Sequence, residues 1–452
     1  MSMAPSPLEA GTESATKTGR SREVPALAFL FASGAAALAQ QLLWTRSLVD
    51  LLGASADTFS KVIGAFLVGL ALGGGWAAWR PALATTAWRR VALAELVVAI
   101  LGVVILGSPP VLGRLADGDG MNALLRWVAP PVLIIPPAFA MGLVLPALAT
   151  AVPGPRSSIR YYTINTLGGV LGIGLVLWMG LPRLGLAGAG VATSGVNLML
   201  AASMVLWRPV SANRSLSAND APLDTPMLSL RRAALLAFAS GFLVLGLEVI
   251  CQHQFAQVSI NSSFSSAAVL AGVLLALTLA SAGVSRSRGS LGSWLSRSGL
   301  AAGIACLLEP VLFLLLRPGL QTLPYELQPL AYFAVLGGLV AGTLIPLFTA
   351  AGLLFPLLLR DGCTPRRLGL LLAFNGAGGW LGAELTPALI LPHLGLWLSP
   401  MAFGLAYAVV TAPFPSAAAS PAVADRPRAW RRWRSRLGLG MASVALVLAA
   451  RS

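Results

Sequence analysis

The chain has 452 residues, 56% of them hydrophobic and only 10% charged, whereas a soluble protein of this length carries about a quarter charged residues. The composition is that of a polytopic membrane protein, and the net charge of +15 does not signal a nucleic-acid partner, because the basic residues fall in short stretches between apolar runs.

Residues 1–24 are rich in Ser, Thr, Pro and Gly and carry Lys17, Arg20 and Arg22, which reads as a disordered cytoplasmic tail. The apolar stretch that follows outruns a signal-peptide core and is read as a retained helix. One crossing needs about 20 apolar residues. On that measure spans fall at 25–45, 57–79, 91–112, 127–151, 161–182 and 184–207, and after a polar linker at 208–232 at 233–253, 264–284, 295–316, 329–358, 368–391 and 394–413. A basic segment, 414–436, then leads to 437–452, whose apolar part is short for a span and is read as an interfacial or short thirteenth membrane helix.

Basic residues near span ends stay on the cytoplasmic side. On the twelve-span reading, 24 Lys and Arg fall on the side of the N-terminal tail and six, Arg46, Lys61, Arg114, Arg126, Arg183 and Arg317, on the other. The expected location is therefore a bacterial inner (plasma) membrane with the N-terminus in the cytoplasm. In Arg426 to Arg436, basic residues alternate with Trp430 and Trp433; beside a bilayer that pattern suits anionic lipid head groups.

The two halves repeat each other. Ser33, Gly34 and Gln41 return as Ser240, Gly241 and Glu248, an offset of 207. At an offset of 210, Gly142 and Pro146 return as Gly352 and Pro356; Asn165, Gly168, Gly169, Leu171 and Gly172 as Asn375, Gly378, Gly379, Leu381 and Gly382; and Leu181, Pro182, Leu184, Gly185 and Leu186 as Leu391, Pro392, Leu394, Gly395 and Leu396. An even number of spans per copy makes the copies parallel. The expected fold is all-α: a six-helix repeat at 25–207 and a second at 233–413, in a major-facilitator-like layout.

The run from Ser33 through Trp44, Thr45 and Arg46, then Leu52, Gly53, Ser55, Phe59, Ser60 and Ala65 to Gly73, resembles the membrane domain of spermidine-synthase-like membrane proteins. The Gly142 and Asn165 elements and their second copies resemble it too, so the likeness covers about residues 25–413. It implies a major-facilitator-like bundle. In the fused members of that family a soluble Rossmann domain follows, but 414–452 has no strand-loop-helix pattern, so no aminopropyl transfer is assigned and the chain is expected not to be an enzyme. The family pattern usually has Glu where this chain has Gln41.

Three cysteines without CxxC spacing and two histidines offer neither a disulfide framework, nor a metal site, nor a Ser/His/Asp triad. The absence of GxxxxGK[ST] removes ATP hydrolysis, and no cofactor is expected. An acid within a span is costly unless it faces a cavity or a partner. Glu248, Glu384 and Glu95, with Gln41 at the place equivalent to Glu248, are therefore candidates for substrate contact or proton coupling, against a structural pairing; Glu309 is a reserve. Arg46, Trp44 and Asp50 are read as an outer gate or anion contact, against interfacial anchoring. Asn165, Gly168, Gly172, Asn375, Gly378 and Gly382 are read as helix-packing residues. The functional expectation is a secondary transporter for a small metabolite, with polyamine-like cations first among the candidates. Its rival is a membrane subunit that docks or feeds a separately encoded soluble enzyme.

Overall fold

The computed structural model describes residues 7–52, 56–83, 85–116, 121–154, 156–208, 226–259, 263–323 and 328–412. All regular structure in them is helical: α1 (Pro7–Leu52), α2 (Ala56–Trp79), α3 (Ala87–Gly107), α4 (Pro109–Ala116), α5 (Met121–Ala151), α6 (Ser157–Leu175), α7 (Leu181–Trp207), α8 (Leu230–Val258), α9 (Ser263–Arg286), α10 (Leu291–Leu316), α11 (Pro329–Ala351), α12 (Leu354–Arg360), α13 (Pro365–Leu385) and α14 (Leu391–Thr411). The tail of 414–436, the segment 437–452 and most of the 208–232 linker lie outside the described residues.

Ten helical stretches among the described residues are long and apolar enough to cross a membrane. This is an integral membrane protein. Two of the ten, Ser157–Trp207 and Pro365–Thr411, run for 51 and 47 residues, at about 1.5 Å per residue more than twice the ~30 Å hydrocarbon thickness. Each contains the same pair of irregularities: a π-helical turn, Val176–Gly180 in one and Thr386–Ile390 in the other, and then a glycine outside helical geometry. Gly185 has φ 65° and ψ −175°, and Gly395 has φ 70° and ψ 174°, a combination that is essentially glycine's alone. Both irregularities recur at the sequence offset of 210.

The helices depart from the expected spans in three places. α1 begins at Pro7, so residues 7–24, expected as a disordered tail, join the first membrane helix. Pro is favoured in a helix's first turn, and Leu8, Glu9, Ala10, Ala15 and Lys17 are adequate helix formers. The expected span 91–112 ends at Gly107: Ser108 donates its hydroxyl to the Ile105 carbonyl (2.7 Å), and α4 starts afresh on Pro109, where a missing N–H costs nothing. The expected span 329–358 turns at Gly352, whose N–H bonds the Phe348 carbonyl, and continues as α12.

The chain divides into two compact units, Met1–Pro226 with Gly362–Gly376, and Met227–Asp361 with Ala377–Ser452. In the first, α1 packs on α6 and α7, α2 on α5, and α3 on both α5 and α7. Trp44 and Leu48 of α1, Val62 and Phe66 of α2, Ile105 of α3 and Ile134 and Ala138 of α5 form one buried cluster. In the second, α10 packs on α14 and α11, α9 on α11, and α8 on α14. The helices sort their side chains by face. On α3, Leu93, Leu96, Ile100 and Val103 are exposed, while Val91, Glu95, Val98, Gly102 and Ile105 are buried. On α10, Leu300, Ile304, Leu308, Val311 and Leu315 are exposed, while Ala302, Cys306, Glu309 and Phe313 are buried. The exposed stripes are aliphatic, a surface suited to lipid chains rather than water, and the polar groups sit on the protein-facing side.

Small residues set the closest helix contacts. A methyl group built on Gly168 would overlap the Phe31 carbonyl oxygen, one on Gly172 that of Ala35, and one on Gly34 the Asn165 carbonyl. The seam between α1 and α6 is thus backbone against backbone. In the other unit Gly378 meets the Phe238 carbonyl and Gly382 that of Phe242, the same arrangement between α8 and α13 with both partners displaced by their repeat offsets.

Candidate functional site

Each unit buries its own set of polar side chains. In the first, α1 presents Ser33, Gln40, Trp44 and Ser47 at intervals of seven, four and three residues, which places them along one helix face. α3 presents Glu95 and Gly102, and α7 presents Ser194 and Asn197. Ser33 donates its hydroxyl to Oε1 of Glu95 at 2.6 Å, and Glu95 is 2% exposed. One turn-pair further along, the Gln40 amide donates to the Ser194 hydroxyl at 2.7 Å. Gly102 makes room for that contact, because a Cβ there would meet both groups. Gln40 Oε1, Asn197 Oδ1, Trp44 Nε1 and Ser47 Oγ are buried with no hydrogen-bond partner among the described residues.

In the second unit, α8 presents Glu248, Cys251 and Gln254 at successive intervals of three, and α10 presents Cys306 and Glu309 at the same interval. The Gln254 amide donates to Oε2 of Glu309 at 3.1 Å; both residues are at most 1% exposed. Cys251 lies within electrostatic range of Glu309, Cys306 and Glu248, so the five side chains form one neighbourhood. Phe255, the residue after Gln254, stacks edge-on against Phe313 (centroids 5.4 Å apart), which in turn lies 5.8 Å from the Trp397 ring. Glu248 is 6% exposed and makes no hydrogen bond with any described residue. No three His, Cys, Asp or Glu side chains among the described residues are arranged to hold a metal ion.

The remaining sequence candidates are placed as follows. Gln41 is buried on α1, on a different face from Gln40. Glu384 is half-buried and has an interaction partner; it stands two residues before the π-helical turn of its run. Arg46 is half-buried and also partnered, and the side chain of Asp50 lies outside the described residues. Trp44, expected with these at an outer gate, is instead fully buried in the core cluster of the first unit, because the stripe it shares with Leu48 faces α2, α3 and α5. Asn165 and Asn375 are half-buried.

Compared with protein-family models and with curated proteins, the chain matches none. What can be said of the site therefore comes from its own residues. The acids are conspicuous in the sequence, whereas their hydrogen-bond neighbours and the polar groups beside them, Ser33, Gln40, Ser194 and Gln254, are not. The signal for them was the seven-residue spacing of Ser33 with Gln40 on α1 and of Glu95 with Gly102 on α3, a polar stripe opposite an aliphatic one.

The Ser33 bond has a measurable weight. Removing the donor leaves a buried carboxyl oxygen unsatisfied, which costs about 1–3 kcal/mol. Ser33→Ala is expected to lower the midpoint of thermal unfolding in detergent, and Ser33→Thr, which retains a hydroxyl, to recover most of the loss. Equal losses in the two variants would mean that packing at residue 33, not the hydrogen bond, is what matters.

Proposed function

We propose that this protein is a secondary transporter built from two parallel six-helix repeats, moving a small, cationic metabolite by alternating access of the two halves. The fold supports the repeat reading. The π-helical turns, the glycines at 185 and 395 and the glycine-to-carbonyl seams occur twice, and a break at each glycine would turn the two long runs into two crossings apiece, twelve in all. With an even number of crossings in each copy, the halves would run parallel, and the distribution of Arg and Lys supports a cytoplasmic N-terminus.

The observation that carries the transport reading is the burial of three acids, Glu95, Glu248 and Glu309, on the protein-facing sides of membrane helices. A chain selected only to sit in a bilayer has no use for such groups, and acids at this depth mark cation and proton paths. Glu248 is the best candidate for coupling, since it alone of the three has no hydrogen-bond partner among the described residues; Glu384 is the second. Resemblance to the spermidine-synthase-like membrane domain puts polyamines first among cargoes. The mechanism needs no cofactor and no covalent chemistry.

The test is reconstitution of the purified chain in liposomes under an imposed pH gradient, with internal pH followed while polyamines and a panel of other small metabolites are added. Cargo-dependent proton movement is expected from the parent chain and is expected to fall at least tenfold in Glu248→Gln. If folded, correctly oriented protein moves no cargo and no protons, the transporter reading is lost, and co-purification of a soluble enzyme becomes the experiment to run.

A further inference from the structure

Glu309 and Gln254 present a hydrogen-bonding account that does not close. Gln254 has two N–H donors and one acceptor, Oε1; an ionised Glu309 is acceptor-only. One bond is made, from Nε2 to Oε2 of Glu309 (3.1 Å). Besides the second N–H of Gln254, what remains is Oε1 of Gln254 and Oε1 of Glu309, both buried and both without a hydrogen-bond partner among the described residues. Two orphaned acceptors on neighbouring side chains want one donor.

The charge account points the same way. No Lys or Arg is paired with Glu309 among the described residues. The titratable groups interacting with Glu309 are Cys251 of α8 and Cys306 of α10 itself; beyond them lie Glu248, beside Cys251, and Tyr407 of α14, beside Cys306, none of them a cation at neutral pH, and the Tyr407 hydroxyl donates to the Ala351 carbonyl at 3.2 Å. His253, next to Gln254, turns its Nδ1 back on the Val249 carbonyl at 2.8 Å. An isolated carboxylate in such surroundings is strongly disfavoured, because burial removes its hydration and nothing of opposite charge replaces it. A bound metal cation would want several oxygen ligands; beyond Gln254 and Glu248 the neighbourhood supplies thiols and phenyl rings, and no three His, Cys, Asp or Glu among the described residues are arranged to hold one. A water could satisfy the acceptors but would leave the negative charge in place. A single proton settles both accounts.

We infer that Glu309 and Gln254 form a buried proton-binding site at the α8–α10 contact, with Glu309 holding a proton on Oε1 for donation to Oε1 of Gln254. The proton comes from solvent and adds to the carboxylate with no other bond made or broken; the product is a neutral acid–amide pair with each side chain donating once and accepting once. The partition differs from the first unit, where Glu95 is served by a serine hydroxyl seven residues before Gln40. The site stands whether or not the chain moves a cargo.

Infrared spectroscopy of the reconstituted protein at neutral pH reads the protonation state directly. The expected result is a protonated-carboxyl C=O band component that disappears in Glu309→Gln but remains in Glu95→Gln and Glu248→Gln. Glu309→Gln should also melt with the parent chain, because its amide offers a donor where the acid had its O–H, while Glu309→Leu and Gln254→Leu should melt earlier. Loss of a carboxylate band instead of a carboxyl band in Glu309→Gln overturns the inference. So does failure of that variant to fold or a clear drop in its melting temperature, since either would show that the ionised form, with a water or cation, is what the native structure holds.

Discussion

Gly168→Leu is expected to abolish recovery of folded protein, whereas Gly174→Leu, six residues along the same helix, is expected to leave it near the parent level. At residue 168 any Cβ falls on the Phe31 carbonyl oxygen of α1, and the neighbouring contact is Ala35 N; both are backbone, so no side chain can rotate out of the way. A Cβ on Gly174 meets nothing within 4 Å. Overpacking a well-packed contact costs about 1–3 kcal/mol and occasionally more. Here four isobutyl carbons must enter a seam that has no room for one, and the only relief is separation of α1 from α6. That separation would also undo the approach of Gly172 to Ala35 and of Gly34 to Asn165. Gly378→Leu should behave as Gly168→Leu does, through the Phe238 carbonyl of α8. The measurement is the monodisperse fraction after detergent extraction, compared at equal expression. A monodisperse Gly168→Leu protein would mean that α1 and α6 are not in backbone contact.

These seams also show what was legible in the sequence. Gly168, Gly172, Gly378 and Gly382 could be found because a common offset made them stand out among 48 glycines, and small residues at four-residue spacing have one well-understood use in membrane helices. The membrane crossings were legible for a similar reason: hydrocarbon thickness sets a length, and apolar runs either meet it or do not. The ends of the helices were harder to read. α1 continues back to Pro7 because composition alone does not separate a polar helix from a polar coil, and α3 stops at Gly107 because apolar character runs on through Pro109 and Pro110 while the backbone cannot. The polar clusters were legible only in part. Glu95, Glu248 and Glu309 are conspicuous in apolar runs, but whether each finds a partner depends on which helices lie side by side. Gln254 is 55 residues from Glu309 and Ser33 is 62 from Glu95, and no local pattern carries that information. Trp44 illustrates the converse: its position beside Arg46 at the end of a span suggested an interface, and the face it shares with Leu48 put it in the core.

Gly185→Ala and Gly195→Ala, ten residues apart in α7, are expected to change stability in opposite directions. Neither glycine has a heavy atom within 4 Å of the place a Cβ would occupy, so crowding is absent from both substitutions and only backbone conformation differs. Residue 195 lies in regular helix, where alanine is favoured over glycine by up to about 1 kcal/mol, and the gain reflects the freedom that glycine loses on folding. Residue 185 has φ 65° and ψ −175°, a region closed to residues with a Cβ. Alanine there must either strain by about 1–3 kcal/mol or pull the backbone back into helix. The second course would straighten the break that divides the 51-residue run, so the damage should exceed local strain. Gly395→Ala, at φ 70° and ψ 174°, should lose a similar amount, and because the two sites lie in separate compact units the double variant should lose close to the sum. Thermal unfolding of the four variants in one detergent decides the matter. Equal effects at 185 and 195 would mean that the break at Gly185 is not held by glycine's conformational freedom, and with it would go the argument that the two long runs are divided at corresponding points.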